Sequence, residues 1–222
     1  TAFLYQPLNP DVIYCGFENV WRSSNQGENF EKISDFKDKL EITSIALSRK
    51  DTAIIYASNA KKIYKTTNSG NVWENIFQSN DYISSIKTDQ YGNLWVSIGQ
   101  FNSKSKVYKI SGDSIINQTY NLPNVPINCI EIDTTANKIY IGTDIGVFEK
   151  DFDANSWSKM GLNFPAVIVN ELELHYGTGT LFAATFGRGL WSYKLFDCPI
   201  KKPTLEPLPK RYFCSGELVA LK

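Results

Sequence analysis

The chain has 222 residues and balances 23 basic against 23 acidic side chains, with no basic stripe along it, a charge pattern that argues against a nucleic-acid partner. No apolar run approaches the roughly 18 residues of a membrane-spanning helix, and a single histidine with four cysteines in no Cys-x-x-Cys pair offers no zinc-ligand set, so neither metal nor cofactor is expected. Hydrophobic residues make up 42% and aromatics 14%, enough for a substantial core of pleated, half-buried surfaces.

Along the chain the same short apolar segments return. The first repeat carries them at residues 2–5, at Ile13-Tyr14 and at Val20-Trp21-Arg22. The second has residues 42–47, Ile55-Tyr56 and Ile63-Tyr64-Lys65, and the third residues 83–86, Leu94-Trp95 and Val107-Tyr108-Lys109. Residues 127–132, Ile139-Tyr140 and Val147-Phe148-Glu149 form the fourth, and residues 169–174, Leu181-Phe182 and Leu190-Trp191-Ser192 the fifth. Measured between the second residues of the middle segment, the steps are 42, 39, 45 and 42. Period-two alternation in Ile127-Asn128-Cys129-Ile130 and Val169-Asn170-Glu171-Leu172 fits strands with a buried face. With a weaker run after the third segment, such as residues 71–77, four strands fit in one repeat, here called A to D. Four-stranded repeats of about 40–45 residues without amphipathic helices predict an all-β fold, a β-propeller of about five blades.

The C-to-D turns carry the most specific local signal. Ser23-Ser24-Asn25-Gln26-Gly27-Glu28-Asn29-Phe30 and Thr66-Thr67-Asn68-Ser69-Gly70-Asn71-Val72-Trp73 share Ser/Thr-x-Asn-x-Gly-x-x-aromatic. The Asn side chain can bond amides within the turn, Gly accepts positive φ, and the aromatic is expected to fold back onto its blade. These turns resemble the Asp-box (bacterial neuraminidase repeat) with Asn for Asp, as in sialidases, sortilin-type receptors, photosystem assembly factors and xyloglucanases. In those families the box lies outside the catalytic centre, so the resemblance implies structural roles for Ser23, Asn25, Gly27, Phe30, Thr66, Asn68, Gly70 and Trp73. The third repeat has no box after Lys109, and the fourth keeps Trp157 without the glycine.

The stretches Leu122-Pro123-Asn124-Val125-Pro126-Ile127-Asn128, Ile139 to Phe148 and Ala184-Thr185-Phe186-Gly187-Arg188-Gly189-Leu190-Trp191 resemble the end of secreted multi-module proteins of the Bacteroidetes, exported by the type IX system. Tyr91-Gly92-Asn93-Leu94-Trp95 is also similar to blades of periplasmic sensor propellers. Residues 1–196 are read as blades. Prolines 199, 203, 207 and 209 mark residues 197–211 as an extended linker, and residues 212–222 resemble the first strand of an immunoglobulin-like module. Cys198 and Cys214 flank that linker, and in a secreted chain a disulfide is open to them. Cys15 and Cys129 fall within strand segments and read as inert buried thiols. Asn117-Gln118-Thr119 matches a glycosylation acceptor, a match without meaning in a bacterial chain.

Catalytic constellations are absent from the pattern. A sialidase-like centre needs an arginine triad, yet the four arginines, Arg22, Arg49, Arg188 and Arg211, fit no such motif. A xyloglucanase-like centre needs two facing carboxylates; Asp89, Asp133, Asp144 and Glu171 are the candidates, with Asp89 and Asp133 explained as turn residues after strand A. His175 has no assignable partner and reads as a loop histidine. Arg188 is read first as an arginine bonding neighbouring-blade carbonyls and second as a ligand contact.

The expected function is therefore a non-catalytic binding or display propeller of a secreted or cell-surface protein, with an unknown protein or glycan ligand and further modules of the same polypeptide upstream and downstream. Unrepeated loops are where recognition belongs, which nominates Phe101, Phe186 and Arg188. The alternatives are part of a glycoside hydrolase, sialidase- or xyloglucanase-like, whose catalytic blades lie upstream, and a sensor propeller of a signalling receptor. Because the fifth repeat supplies no strand D, the chain is expected to be the C-terminal part of a larger propeller; a closed five-bladed ring from these residues alone would contradict this.

Overall fold

The computed structural model describes residues 2–196 apart from 8, 162, 163 and 165. It is all-β: nineteen strands in five separate antiparallel sheets, each one blade. Blade 1 contains β1 (Ala2–Gln6), β2 (Asn9–Gly16), β3 (Val20–Ser23) and β4 (Glu31–Lys32). Blade 2 contains β5 (Ile42–Leu47), β6 (Ile55–Asn59), β7 (Lys62–Thr66) and β8 (Glu74–Gln78). β9 (Ile83–Thr88), β10 (Leu94–Ile98), β11 (Val107–Ser111) and β12 (Ser114–Asn117) form blade 3. Blade 4 has β13 (Ile127–Asp133), β14 (Lys138–Thr143), β15 (Gly146–Asp151) and β16 (Ser158–Lys159), and blade 5 β17 (Val169–His175), β18 (Thr180–Thr185) and β19 (Gly189–Lys194). Pairing runs in sequence order in every blade, so strands A to D are consecutive. The linker, the immunoglobulin-like strand and the Cys198–Cys214 pairing lie outside the described residues.

Register explains why an aromatic recurs in strand B. Tyr56, Trp95 and Tyr140 stand opposite Lys65, Lys109 and Glu149 on strand C. Lys65 Nζ lies 6.0 Å from the Tyr56 ring centroid and Lys109 Nζ 5.4 Å from that of Trp95, cross-strand contacts that add to pairing.

Side-chain packing joins the blades, with a few backbone bonds beside it, such as Ile42 N–H to Phe17 O at 2.6 Å and Ile83 N–H to Ala60 O at 2.9 Å. Four apolar clusters bridge blades 1–2, 2–3, 3–4 and 4–5, and none of the four joins blade 5 to blade 1. Each interface has the same composition. The leading blade gives a strand-B aromatic and a strand-C β-branched residue, such as Tyr140 and Val147. The following blade gives aliphatics of A and B with an aromatic of C, such as Leu172, Leu174, Leu181, Ala183 and Trp191. At about 1.5–3 kcal/mol for each fully buried large side chain, this repeated packing dominates the stability of stacked units.

The C-to-D turns of blades 1 and 2 are superimposable in their bonding. Ser23 Oγ accepts from Gly27 N–H at 2.9 Å and donates to Asn25 Oδ1, which accepts from Asn29 N–H at 3.0 Å. Thr66 Oγ1 accepts from Gly70 N–H at 3.0 Å, and Asn68 Oδ1 accepts from Val72 N–H at 2.9 Å. Gly27 and Gly70 sit at φ 94° and 99°, where a Cβ is disfavoured. The aromatic differs from expectation: Trp73 docks on the preceding blade, its Nε1–H donating to Ile33 O at 2.7 Å. Trp157 repeats this two interfaces on, between blades 4 and 3, donating to Gln118 O at 2.8 Å. Strand D of blade 2, β8, starts at Glu74 rather than at residue 71, because residues 71–73 belong to the turn.

In blade 4 a lysine takes over the missing box. Lys150 occupies the strand-C position of Ser23 and Thr66, and its Nζ donates to Asp151 O, Phe152 O and Ala154 O at 3.1, 3.1 and 2.8 Å. Trp95, Tyr120 and Trp157 surround the ammonium at 5.4–5.8 Å. Burial, then the nearby Lys109 charge, pulls Lys150 down to about 8.

Candidate functional site

Antiparallel strands in sequence order place every B–C and D–A connection on one rim of the propeller and every A–B and C–D connection on the other. The first rim gathers exposed rings: Phe17, Phe101 and Phe186 from B–C connections, Tyr82 and Tyr120 from D–A connections. Phe101 is 57% and Phe186 71% exposed. Both nominated phenylalanines and Arg188 are therefore on the same rim.

The loop carrying Phe101 is held from both sides. Gly99 N–H donates to Tyr82 O at 2.9 Å and Tyr82 N–H to Gln100 Oε1 at 3.3 Å. Across the next blade, Asn102 and Asn124 exchange two bonds, Asn102 N–H to Asn124 Oδ1 at 3.0 Å and Asn124 Nδ2 to Asn102 Oδ1 at 2.9 Å. Phe186 N–H donates to Ile168 O at 2.9 Å, and Thr185 Oγ1 donates to Gly189 O at 2.7 Å. Aromatics on braced loops lose little conformational freedom when a ligand covers them.

Arg188 departs from its first reading. Its backbone carbonyl accepts from Trp191 Nε1 at 3.0 Å, but among the described residues the exposed guanidinium bonds no neighbouring-blade carbonyl. Arg188 is exposed in the turn between Gly187 and Gly189.

The innermost strands of all five blades line a central cavity of about 440 Å³. Sequence reasoning nominated Glu171 here and missed its neighbours Lys87, Glu131 and Glu173, which lie in three different blades. Lys87 Nζ pairs with Glu131 Oε2 at 2.8 Å. Burial pulls the lysine down most strongly of any single cause, but Glu131, Glu173 and Glu171 together outweigh it, and the ammonium is held above its ordinary value. Glu171 is exposed and lines the cavity; partial desolvation raises its carboxyl, Lys87 opposes, and Glu131 and Glu173 reinforce.

The other carboxylates are bonded within their own blades. Asp89 accepts from Tyr91 N–H, Asn93 N–H, Asn93 Nδ2 and Trp95 Nε1 at 2.8–3.0 Å. Asp133 Oδ1 accepts from Thr135 N–H, Thr135 Oγ1 and Ala136 N–H at 2.6–3.0 Å. Asp144 Oδ1 accepts from Asn128 Nδ2 at 3.0 Å. His175 is exposed at the end of β17, with Nδ1 2.8 Å from Thr178 Oγ1. Cys15 and Cys129 are buried free thiols, both pushed up chiefly by burial. Among the described residues no group of three His, Cys, Asp or Glu is arranged to hold a metal, and no helix is long and apolar enough to cross a membrane.

No protein-family model matches the sequence, and no curated protein matches it. Solved structures share the fold. An ancestral GH74 enzyme is similar with a TM-score of 0.67 at 14% identity over 82% of this chain and 27% of its own. YCF48 bound to D1 peptide gives 0.62 at 10% identity over 84% of this chain and 62% of its own. The extracellular domain of a one-component system, BT4673, from B. thetaiotaomicron gives 0.62 at 14% over 86% and 26%. The chain thus spans less than two-thirds of the length of each of these proteins. At such identities the likeness defines a β-propeller, a fold that hosts catalytic and non-catalytic proteins alike.

Proposed function

We propose that the chain is a non-catalytic binding or display propeller of a secreted or cell-surface, multi-module protein, and that the rim formed by the B–C and D–A connections takes a protein or glycan ligand. The observation that carries this reading is the concentration of exposed rings on braced, unrepeated loops of that rim. Large aromatic side chains on preorganised backbone are the usual source of binding energy at an interface. Asp89 meanwhile spends both oxygens on its own hairpin, and Asp133 and Asp144 each spend Oδ1 within their own blade, while Asp133 Oδ2 is buried without a partner among the described residues. The Ser/Thr-x-Asn-x-Gly turns are Asp-box turns with an architectural role, since their polar groups bond one another and their glycines and aromatics face the turn or the preceding blade. Resemblance of the last two repeats to type IX-exported proteins, together with a fold shared with extracellular domains, supports an extracellular location.

Binding is tested by presenting the purified chain with immobilised sialosides, β-glucans, xyloglucan and extracellular-matrix proteins. A Phe101→Ala/Phe186→Ala double variant that melts like the wild type is expected to lose at least tenfold in affinity for whichever probe binds, while Phe30→Ala on the opposite rim binds normally. Retention of full affinity by the double variant would refute the assignment of the rim. A second reading, part of a glycoside hydrolase, is favoured by one feature: Glu171 lines the central cavity with its carboxyl pushed up, the direction of shift a general acid uses.

A further inference from the structure

The four blade interfaces define what each face of a blade is built to touch, and the two outermost faces are built the same way. On blade 1, Phe3, Tyr5, Ile13, Cys15 and Trp21 stand in the register of Ile45, Leu47, Ile55, Ala57 and Tyr64 of blade 2, the set packed against blade 1. Ile45 and Leu47 are 7% and 6% exposed, whereas Phe3 and Tyr5 are each 55% exposed. An apolar hollow of about 730 Å³ opens on this face beside Cys15, Trp21 and Phe30. On blade 5, Leu190 occupies the position of Val20, Ile63, Val107 and Val147. Those four are 0% exposed; Leu190 is 69% exposed. Phe182, in the position of the buried Tyr14, Tyr56, Trp95 and Tyr140, is half-buried.

A polar detail repeats as well. Ser84 Oγ donates to Ile127 O at 2.6 Å and Asn128 Nδ2 to Val169 O at 3.2 Å, each from the second residue of one innermost strand to the first residue of the next. Asn170 holds that position in blade 5, and among the described residues its exposed side chain has no such acceptor.

We infer that both faces are blade interfaces and that their occupants are further blades of the same polypeptide, completing the propeller. The blade seated on blade 5 is expected to offer aliphatics on strands A and B, an aromatic on strand C, and an innermost-strand carbonyl to Asn170. The blade seated on blade 1 is expected to offer an aromatic on strand B and a β-branched residue on strand C. This occupant follows from the interfaces themselves, since every internal copy of either face is covered by a blade of that composition. Propellers of similar fold are longer than the part these five blades match. A second copy docked head to tail would be a heterologous contact, which closes only if the rotation between copies happens to close a ring.

Hydroxyl-radical footprinting compares the 222-residue chain with the mature polypeptide as its source cells produce it. Phe3, Tyr5 and Leu190 are expected to react roughly fivefold or more slowly in the mature polypeptide, because exposures of 55–69% should fall to the 0–7% of their equivalents, and the half-buried Phe182 is expected to be protected to a smaller degree. Phe101 and Phe186, on the rim, are expected to react equally in both, which separates this outcome from the fate of the ligand-binding reading. Leu190→Lys is expected to lower the melting temperature of the mature polypeptide and leave that of the 222-residue chain unchanged. The inference is overturned by equal reactivity in both forms. It is equally overturned by concentration-dependent protection in a dimer of the 222-residue chain, or by protection in a monomer containing no further blades.

Discussion

Substituting the two equivalent turn glycines separates backbone strain from blade packing. Gly27 and Gly70 adopt nearly the same φ, 94° and 99°, so an alanine at either pays the same conformational penalty, about 1–3 kcal/mol. Their surroundings differ. A Cβ on Gly27 would meet only Ile13 Cδ1 and the Phe30 ring at 3.7–3.9 Å, ordinary contact distances. A Cβ on Gly70 would lie 2.8 Å from both Ile33 Cβ and Ile33 O. The carbonyl cannot swing away without releasing the indole N–H of Trp73, which it accepts at 2.7 Å. Overpacking of this kind adds about 1–3 kcal/mol, so Gly70→Ala is expected to cost about 2–6 kcal/mol in total and to exceed Gly27→Ala by the overpacking term. Urea unfolding followed by tryptophan fluorescence measures both, and a shift in midpoint at constant m isolates stability. Equal midpoints for the two variants, or a lower one for Gly27→Ala, would refute the claim that the second turn docks on the preceding blade.

Removing only the indole donor, by Trp157→Phe, is expected to cost about 1–3 kcal/mol by leaving Gln118 O unpaired, read from the same denaturation curves. Trp157→Ala is expected to cost about 3–5 kcal/mol, and Trp73→Ala less, because Trp157 is buried and Trp73 only half-buried. Lys150 binds its proton less tightly folded, at about 8, than unfolded, so its contribution makes stability rise as pH increases from about 8 toward 10. Lys150→Met is expected to flatten that rise in melting temperature, and an unchanged slope would contradict it. Glu171, raised in the fold, binds its proton more tightly there than unfolded; stability is lost as pH rises through the range just above ordinary carboxylate values. Glu171→Gln is expected to melt higher than the wild type at neutral pH and to converge with it in acid.

Strands A, B and C were legible because each blade repeats one solution to one packing problem. Ile13, Ile55, Leu94, Ile139 and Leu181 must all be apolar to meet a neighbouring sheet or present the same face to one, and five copies of a pattern outweigh local ambiguity. The turns were legible because Asn and Gly have few other reasons to recur at that spacing. What local sequence could not reveal is contact between repeats. Trp73 reads as a residue of its own hairpin, but its partner, Ile33, is 40 residues earlier. Lys87 and Glu131 pair across 2.8 Å although nothing in either strand marks the other. Lys150 looked like a lost box, and only the three carbonyls around its ammonium reveal a substitute. Phe101 and Phe186 could be nominated as unrepeated loop residues; that one rim collects them, with Phe17, Tyr82 and Tyr120, follows from strand order.

The most direct test of the non-catalytic reading is turnover. The purified chain, and separately the mature polypeptide, would be incubated with sialosides, β-glucans and xyloglucan while released sugars are quantified, with Glu171→Gln, Asp144→Asn and the Phe101→Ala/Phe186→Ala double variant in parallel. The account predicts no release attributable to residues of these blades: none by the purified chain, and in the mature polypeptide any release unchanged in the carboxylate variants. Release that disappears in Glu171→Gln or Asp144→Asn, while the variant still melts as a folded protein, would contradict it and assign catalysis to these blades.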